Sequence, residues 1–112
     1  MKRITGFPRT ARLALGGAIL SAVTAFPALA ATIDIVIRDL AFVPAEAQAK
    51  VGDTVRWRNE DPVPHTVTAP GSFDLSVPVG ERAEAIVDRP GVIGYHCSLH
   101  GDMKGRIAVT PP

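Results

Sequence analysis

The sequence predicts an all-β sandwich of seven or eight short strands. Apolar and polar residues alternate with a period of two in Thr32–Arg38 and again in Thr54–Asn59, as they do in strands with one buried face. Segments of this kind recur at intervals of roughly ten residues and are separated by turns that contain Pro or Gly. No stretch after residue 30 shows a convincing helical period.

The first half of the domain contains the two clearest strands. Thr32–Arg38 places its three isoleucines on one face. Thr54–Asn59 carries Trp57 on its apolar face, and we expect Trp57 to fill the core between two sheets. Between these strands, Pro44 indicates an edge strand or an irregular crossing, because Pro cannot donate a hydrogen bond to a neighbouring strand.

The second half of the domain contains shorter strands. The two prolines in Glu60–Pro64 require a loop. Further strands are predicted at His65–Ala69, around Phe73 and Leu75, at Ala83–Val87, at Val92–Cys97 and at Arg106–Val109.

The first thirty residues are predicted to be a secretory signal peptide. Four basic residues and no acidic one lie in residues 1–12, an uncharged apolar segment follows, and Ala28-Leu29-Ala30 supplies the small residues of a cleavage site. The apolar segment, of about 14 residues, is shorter than the roughly 20 that a membrane-spanning helix needs. We therefore expect cleavage near Ala30, no stable membrane insertion, and a domain of residues 31–112 in the bacterial periplasm.

Loss of the signal peptide changes the charge of the protein. The whole chain has 12 basic and 11 acidic residues. Removal of the four basic residues of the signal leaves 8 against 11, a net charge near −3. This charge and the low aromatic content, 5%, argue against a nucleic-acid-binding protein. The single Cys excludes an intrachain disulfide, and a domain this small often gains stability from a bound metal.

Candidate metal ligands follow the strand predicted at Val92–Cys97. Two residues separate Cys97 from His100, and two more separate His100 from Met103, so one tight turn can aim all three side chains at a common point. His65, far upstream in the sequence, can reach the same point from a neighbouring strand end. Two imidazoles, a thiolate and a weak thioether are the donor set of electron-transfer copper sites.

Zinc is the alternative metal for a Cys and His cluster. A structural zinc site needs four good donors, and Met is not among them, whereas copper accepts a thioether ligand. Each of the four residues, taken alone, is also typical of an ordinary core or surface position. The combination indicates copper. His96 alternates with Cys97 along the strand, so we expect its side chain on the opposite face and not at the metal.

Over nearly all of residues 31–112 the chain resembles the cupredoxins, and within them the amicyanin and plastocyanin-like group. The likeness is carried by Phe42–Pro44, Val51–Asn59, Pro64–Val67 and Tyr95–Gly105. It implies a cupredoxin-like Greek-key β-sandwich that binds one copper ion through His65, Cys97 and His100, with Met103 as the axial ligand.

Three positions matter for how closely the chain follows that group. Gly101 stands where amicyanins have Pro, and Thr66 stands where many relatives have Asn. Asn59 matches an Asn that, in the family, ties the ligand loops together by hydrogen bonds. The short gap between His100 and Met103 is amicyanin-like.

The resemblance implies an exported, monomeric blue copper protein that shuttles single electrons between transient redox partners, a donor and an acceptor. It also implies that His100 is the exit for the electron, within an apolar surface patch to which Leu99, Gly101, Pro64 and Val63 contribute. An enzyme is not expected, because His96 is the only further imidazole available for a second copper. The alternative function is a periplasmic copper carrier or storage protein.

Overall fold

Nine β-strands make up the part of the chain that the structure describes. The computed structural model describes residues 16–17 and 29–112, so the predicted signal peptide, residues 1–30, lies almost wholly outside it. Within these ranges there is no long apolar helix of the kind that crosses a bilayer. The strands are β1 (Thr32–Arg38), β2 (Ala41–Val43), β3 (Glu46–Lys50), β4 (Thr54–Asn59), β5 (His65–Ala69), β6 (Phe73–Val77), β7 (Arg82–Ile86), β8 (Gly91–His96) and β9 (Lys104–Thr110).

The strands form two sheets. Four strands lie in the order β2-β1-β4-β7, and five lie in the order β3-β9-β8-β5-β6. The pairs β1–β4 and β3–β9 are parallel, and the other pairs are antiparallel. This arrangement confirms the predicted all-β sandwich. The chain passes from one sheet to the other at Pro44, between β2 and β3, which confirms the irregular crossing.

The structure has nine strands where seven or eight are expected, and β3 is a strand that the sequence does not predict. Its sequence, Glu-Ala-Gln-Ala-Lys, contains residues that are depleted in strands, and only its two alanines are buried. Its parallel pairing with β9 places it at the edge of the five-stranded sheet. The neighbouring strand, and not its own composition, therefore makes this segment extended. The other predicted strands are present with ends shifted by one or two residues at most.

The core lies between the sheets and is centred on Trp57. This side chain is fully buried, and its ring lies 5.4 Å from the ring of Phe73 and 5.4 Å from that of Tyr95. Both partners belong to the opposite sheet, so Trp57 joins the two layers, as predicted. Aromatic pairs of this kind contribute about 0.5 to 1.5 kcal/mol each beyond the area that they bury.

The strand directions give the sandwich two distinct ends. The upper end holds the end of β4 at Asn59, the start of β5 at His65, and the connection from β8 to β9. The lower end holds Asp53, just before β4, and Ile86, which pairs with the first residue of β4. Two segments that are distant in sequence, around His65 and after His96, therefore meet at the upper end.

Candidate metal centre

Three potential ligands meet at the upper end. His65 is the first residue of β5, Cys97 follows directly after β8, and His100 lies in the connection to β9. Their ligand atoms all lie within 4.8 Å of one another. Nδ1 of His65 is 3.7 Å from Sγ of Cys97, and the two imidazole rings are 4.9 Å apart between centroids. His65 and Cys97 are buried, whereas His100 is partly exposed.

The loop from Cys97 to Met103 is closed by its own backbone. The N–H of Cys97 donates to the carbonyl of Met103, and the N–H of Met103 donates to the carbonyl of His100, both at 3.1 Å. Met103 is buried and belongs to the hydrophobic core beneath the loop. The loop thus holds its Cys, His and Met in one compact turn, and two of these three residues belong to the ligand cluster.

Asp61 fixes the orientation of the His65 ring. Its Oδ2 lies 2.8 Å from Nε2 of His65, and both side chains are buried. Burial opposes the charge of Asp61, but the N–H groups of Leu40 and Asp39 and the imidazole of His65 outweigh burial and hold the pKa of this carboxyl below its usual value. An ionised carboxylate only accepts hydrogen bonds, so Nε2 of His65 is the donor in this contact, and Nδ1 is the ring nitrogen that faces Sγ of Cys97.

Asn59 holds the loop that precedes His65. Its Nδ2 donates to the carbonyls of Val63 and Val77, at 2.8 and 3.1 Å, and its Oδ1 accepts the N–H of Asp61 at 2.8 Å. The buried amide therefore joins the 60–64 loop to the end of β6. The expected tie to a ligand loop is present on the His65 side.

Thr66 makes the connection to the Cys97 side. Its N–H points at Sγ of Cys97 at 3.3 Å, and its Oγ1 accepts the N–H of Ser98 at 2.8 Å. The hydroxyls of Thr66 and Ser98 are also 2.9 Å apart. The residue that departs from the usual Asn thus still joins the two ligand segments, through a hydroxyl in place of an amide.

His96 lies outside the ligand cluster. It is half-buried, and its register partners are Lys104 on β9 and Thr68 on β5. Alternation along β8 places it on the face opposite to the neighbouring Cys97. Gly101 is exposed, and a Cβ built there would meet no atom within 4 Å.

Two residues that support the site were missed from the sequence. In the sequence, Asp61 is one residue of a proline-rich loop, and the signal that could identify it is its place four residues before a candidate ligand His. The role of Ser98 could not be predicted from the sequence, because its contact with Thr66 joins residues 32 positions apart. Hydrogen bonds of this type follow from the fold and have no local sequence pattern.

The donor set fits copper. Two imidazoles and a buried thiol converge, and the thioether of Met103 lies in the same closed loop. A β-sandwich with a His-Cys-His cluster and an adjacent Met has the features of a type 1 copper protein, the class in which copper cycles between Cu(II) and Cu(I).

Comparison with known families agrees with this class. The family model described as a cupredoxin-like domain matches residues 11–109. The chain therefore belongs to the cupredoxin-like family. The match begins inside the segment predicted as a signal peptide, which stays a prediction.

Individual relatives give the same result. The chain is similar to amicyanin-alpha of Methylorubrum extorquens, with 31% identity over 95% of this chain and 92% of that protein. It is also similar to plastocyanin of Scenedesmus fuscus, with 34% identity over 62% of this chain and 87% of that protein. Among solved structures, a purple cupredoxin from Nitrosopumilus maritimus superposes with a TM-score of 0.66 and 26% identity, covering 70% of this chain and 99% of that chain.

Proposed function

We propose that this cupredoxin is an exported, monomeric electron carrier that passes single electrons between transient redox partners and catalyses no reaction of its own. The observation that carries the proposal is the approach of Nδ1 of His65 to Sγ of Cys97, 3.7 Å, with His100 in the same cluster. Bound copper supplies a one-electron couple between Cu(II) and Cu(I). The protein supplies the ligands, their geometry and the path to the surface.

Four side chains are proposed to hold one copper ion per chain. His65 offers Nδ1, because its Nε2 is occupied by Asp61. Cys97 offers its thiolate, His100 an imidazole nitrogen, and Met103 a weak fourth donor. Three of these residues are buried, and the loop is closed by backbone hydrogen bonds, so the donors keep their positions when the metal changes charge. Little rearrangement favours fast electron transfer.

His100 is the proposed point of electron exit. It is partly exposed at the upper end, and its neighbour Leu99 is 58% exposed. Pro64 and Gly101 are exposed, and Val63 is half-buried, in the two loops that meet there. An apolar surface suits a brief contact with a redox protein, because it can be desolvated and released at low cost.

Export is the second part of the proposal, and the lower end supports it. The backbone nitrogen of Ala31 lies 2.8 Å from Oδ1 of the buried Asp53. Cleavage after Ala30 would turn this nitrogen into an ammonium group, and the hydrogen bond would become charge-assisted. We expect the mass of the protein recovered from the periplasm to correspond to residues 31–112. A recovered protein that retains residues 1–30 would contradict export by cleavage.

The test of the proposed function is a copper titration of residues 31–112. We expect one copper per chain, an intense visible absorption from thiolate-to-copper charge transfer, and a reversible one-electron wave in voltammetry. Two coppers per chain would instead indicate a catalytic centre. Tight binding without visible colour or reversible reduction would indicate a copper carrier.

A further inference from the structure

Asp61 makes more contacts than the orientation of one imidazole requires. Besides Nε2 of His65, its two oxygens accept the backbone N–H groups of Asp39 and Leu40, at 2.7 and 3.0 Å. These two residues form the turn between β1 and β2, in the four-stranded sheet, whereas His65 belongs to the five-stranded sheet. One buried carboxylate therefore joins a turn of one sheet to a candidate metal ligand of the other.

The turn between β1 and β2 has an unusual backbone. Asp39 and Leu40 have φ values of 53° and 58°, in the left-handed region. Two consecutive left-handed residues match the right-handed twist of a hairpin, and Asn-Gly is the preferred sequence for them. Leu is disfavoured in this conformation because its Cβ crowds the backbone. The hydrogen bonds to Asp61 help to hold the turn in this shape.

We propose that Asp61 is a positioning residue that couples the β1–β2 turn to His65, so that the turn helps to set the orientation and basicity of a copper ligand. The proposal rests on the proposed function, in which His65 binds copper. A carboxylate that accepts the second N–H of a metal-bound His makes that imidazole a stronger donor. A stronger and more negatively charged donor environment favours Cu(II) over Cu(I), which lowers the reduction potential.

An amide cannot replace the carboxylate in this position. Oδ1 receives the N–H of Asp39, while Oδ2 receives the N–H of Leu40 and faces Nε2 of His65. In an Asn, one of these two positions becomes an NH2 group. An NH2 group at the Oδ1 position faces the N–H of Asp39, donor against donor. At the Oδ2 position it faces both the N–H of Leu40 and Nε2 of His65, and it favours the His65 tautomer that carries its proton on the metal-binding Nδ1. Each orientation disrupts at least one of the contacts that Asp61 joins.

Asp53 offers a matched control. It is also a buried carboxylate that accepts two backbone N–H groups, from Ala31 and Lys50, both at 2.8 Å. It lies at the lower end, away from the ligand cluster. Asp53→Asn therefore makes the same chemical change and disturbs a similar backbone clamp without contacting a ligand.

The first experiment compares Asp61→Asn with Asp53→Asn in the chain of residues 31–112. We expect Asp61→Asn to weaken Cu(II) binding by about 10- to 100-fold and to raise the reduction potential. Asp53→Asn should leave both quantities at the wild-type value. Equal effects of the two variants, or no effect of Asp61→Asn, would overturn the proposal.

The second experiment determines which ring nitrogen of His65 carries the proton in the metal-free protein. Nitrogen-15 NMR of the His65 ring at a pH where the ring is neutral should show the proton on Nε2 in the wild type and in Asp53→Asn. We expect the Nδ1-protonated form to appear in Asp61→Asn. A wild-type ring with its proton on Nδ1 would overturn the proposal whether or not copper binds. A wild-type protein that gives no coloured copper complex would instead overturn the proposed function.

The third experiment tests the turn itself through Leu40, whose side chain is 53% exposed. Leu40→Pro removes the N–H that Asp61 accepts and cannot adopt a positive φ. Leu40→Gly keeps the N–H and adopts this φ readily. We expect Leu40→Pro to weaken Cu(II) binding by a smaller factor than Asp61→Asn does, and Leu40→Gly to leave it unchanged. Wild-type copper affinity in a folded Leu40→Pro protein would show that the turn is not coupled to the site.

Discussion

Each end of the sandwich has a buried aspartate that accepts two backbone N–H groups, but the two aspartates differ in their other contacts. At the lower end, Asp53 accepts the N–H groups of Ala31 and Lys50 and ties the residue before β1 to the turn before β4. At the upper end, Asp61 accepts two N–H groups of the β1–β2 turn and, in addition, contacts His65. A buried carboxylate alone therefore indicates a structural clamp.

The upper end differs from the lower end because Asp61 contacts the imidazole of His65. His65 faces a thiol on one side and a carboxylate on the other, so the local network continues into the ligand cluster. Among the contacts described for Asp53, both partners are backbone groups, and the network ends there. The upper end is also the end at which the partly exposed His100 gives access to the surface.

The largest expected effect comes from Cys97→Ser, which removes the only thiolate donor. We expect the intense visible absorption of the copper-loaded protein to disappear, because a serine hydroxyl cannot supply thiolate-to-metal charge transfer. His96→Gln, at the neighbouring position, should keep the absorption, and optical titration with Cu(II) compares the two. Colour in Cys97→Ser would show that the upper end is not the metal end.

A second prediction concerns which end meets a partner. Leu99→Asp should lower the rate of electron self-exchange between two copies by about tenfold or more, since like charges would meet where the copies approach. Ile86→Asp makes the same change in charge at the lower end, at a residue that is 69% exposed, and should leave the rate nearly unchanged. NMR line broadening in mixtures of oxidised and reduced protein measures both rates. Equal slowing by the two variants would remove the distinction between the ends.

Packing beneath the metal loop gives the third prediction. A Cβ at Gly105 would lie 2.2 Å from Cζ of Tyr95, its partner across β8 and β9, whereas a Cβ at Gly94 would meet no atom within 4 Å. We expect Gly105→Ala to lower the free energy of unfolding by about 1 to 3 kcal/mol through overpacking. Gly94→Ala should be close to neutral, and urea unfolding of the metal-free protein measures both. An unchanged free energy of unfolding in Gly105→Ala would mean that the Tyr95 side chain can move away without cost.

The smallest effect is the pH dependence that Asp53 contributes. The N–H groups of Lys50 and Ala31 hold the pKa of Asp53 below its usual value of 3.8. Its contribution to stability is therefore complete above the pKa of the unfolded chain and is lost as the pH falls through the lower pKa of the folded state. In the metal-free protein, the difference in unfolding free energy between wild type and Asp53→Asn should be constant near neutral pH and shrink below about pH 4. A difference that persists in acid would show that the charge of Asp53 does not contribute.

Much of this architecture could be predicted from the sequence, because alternation and turn residues act locally. The bounds of β1, β4 and β5 agree with the alternating pattern, and Trp57 lies in the core as expected. The strand β3 could not be predicted, since its own residues favour no strand and its conformation depends on β9. The spacing of Cys97, His100 and Met103 is local, so these three candidate ligands could be predicted from the sequence alone.

The supporting contacts of the site were much harder to predict. Asp61 acts through backbone N–H groups about 22 residues away, and such groups are the same in every sequence. Thr66 acts through a segment 32 residues away. Only the folded chain shows that a turn in one sheet and a ligand in the other share one carboxylate.

The closed loop between Cys97 and Met103 has a consequence for protein engineering. Its internal backbone hydrogen bonds and its attachment at Thr66 make it a self-contained module, anchored by strands on both sides. A designer can therefore exchange this segment for one of different length while the remaining scaffold stays intact. The redox properties of the protein would then be adjusted by a short graft, without redesign of the two sheets beneath it.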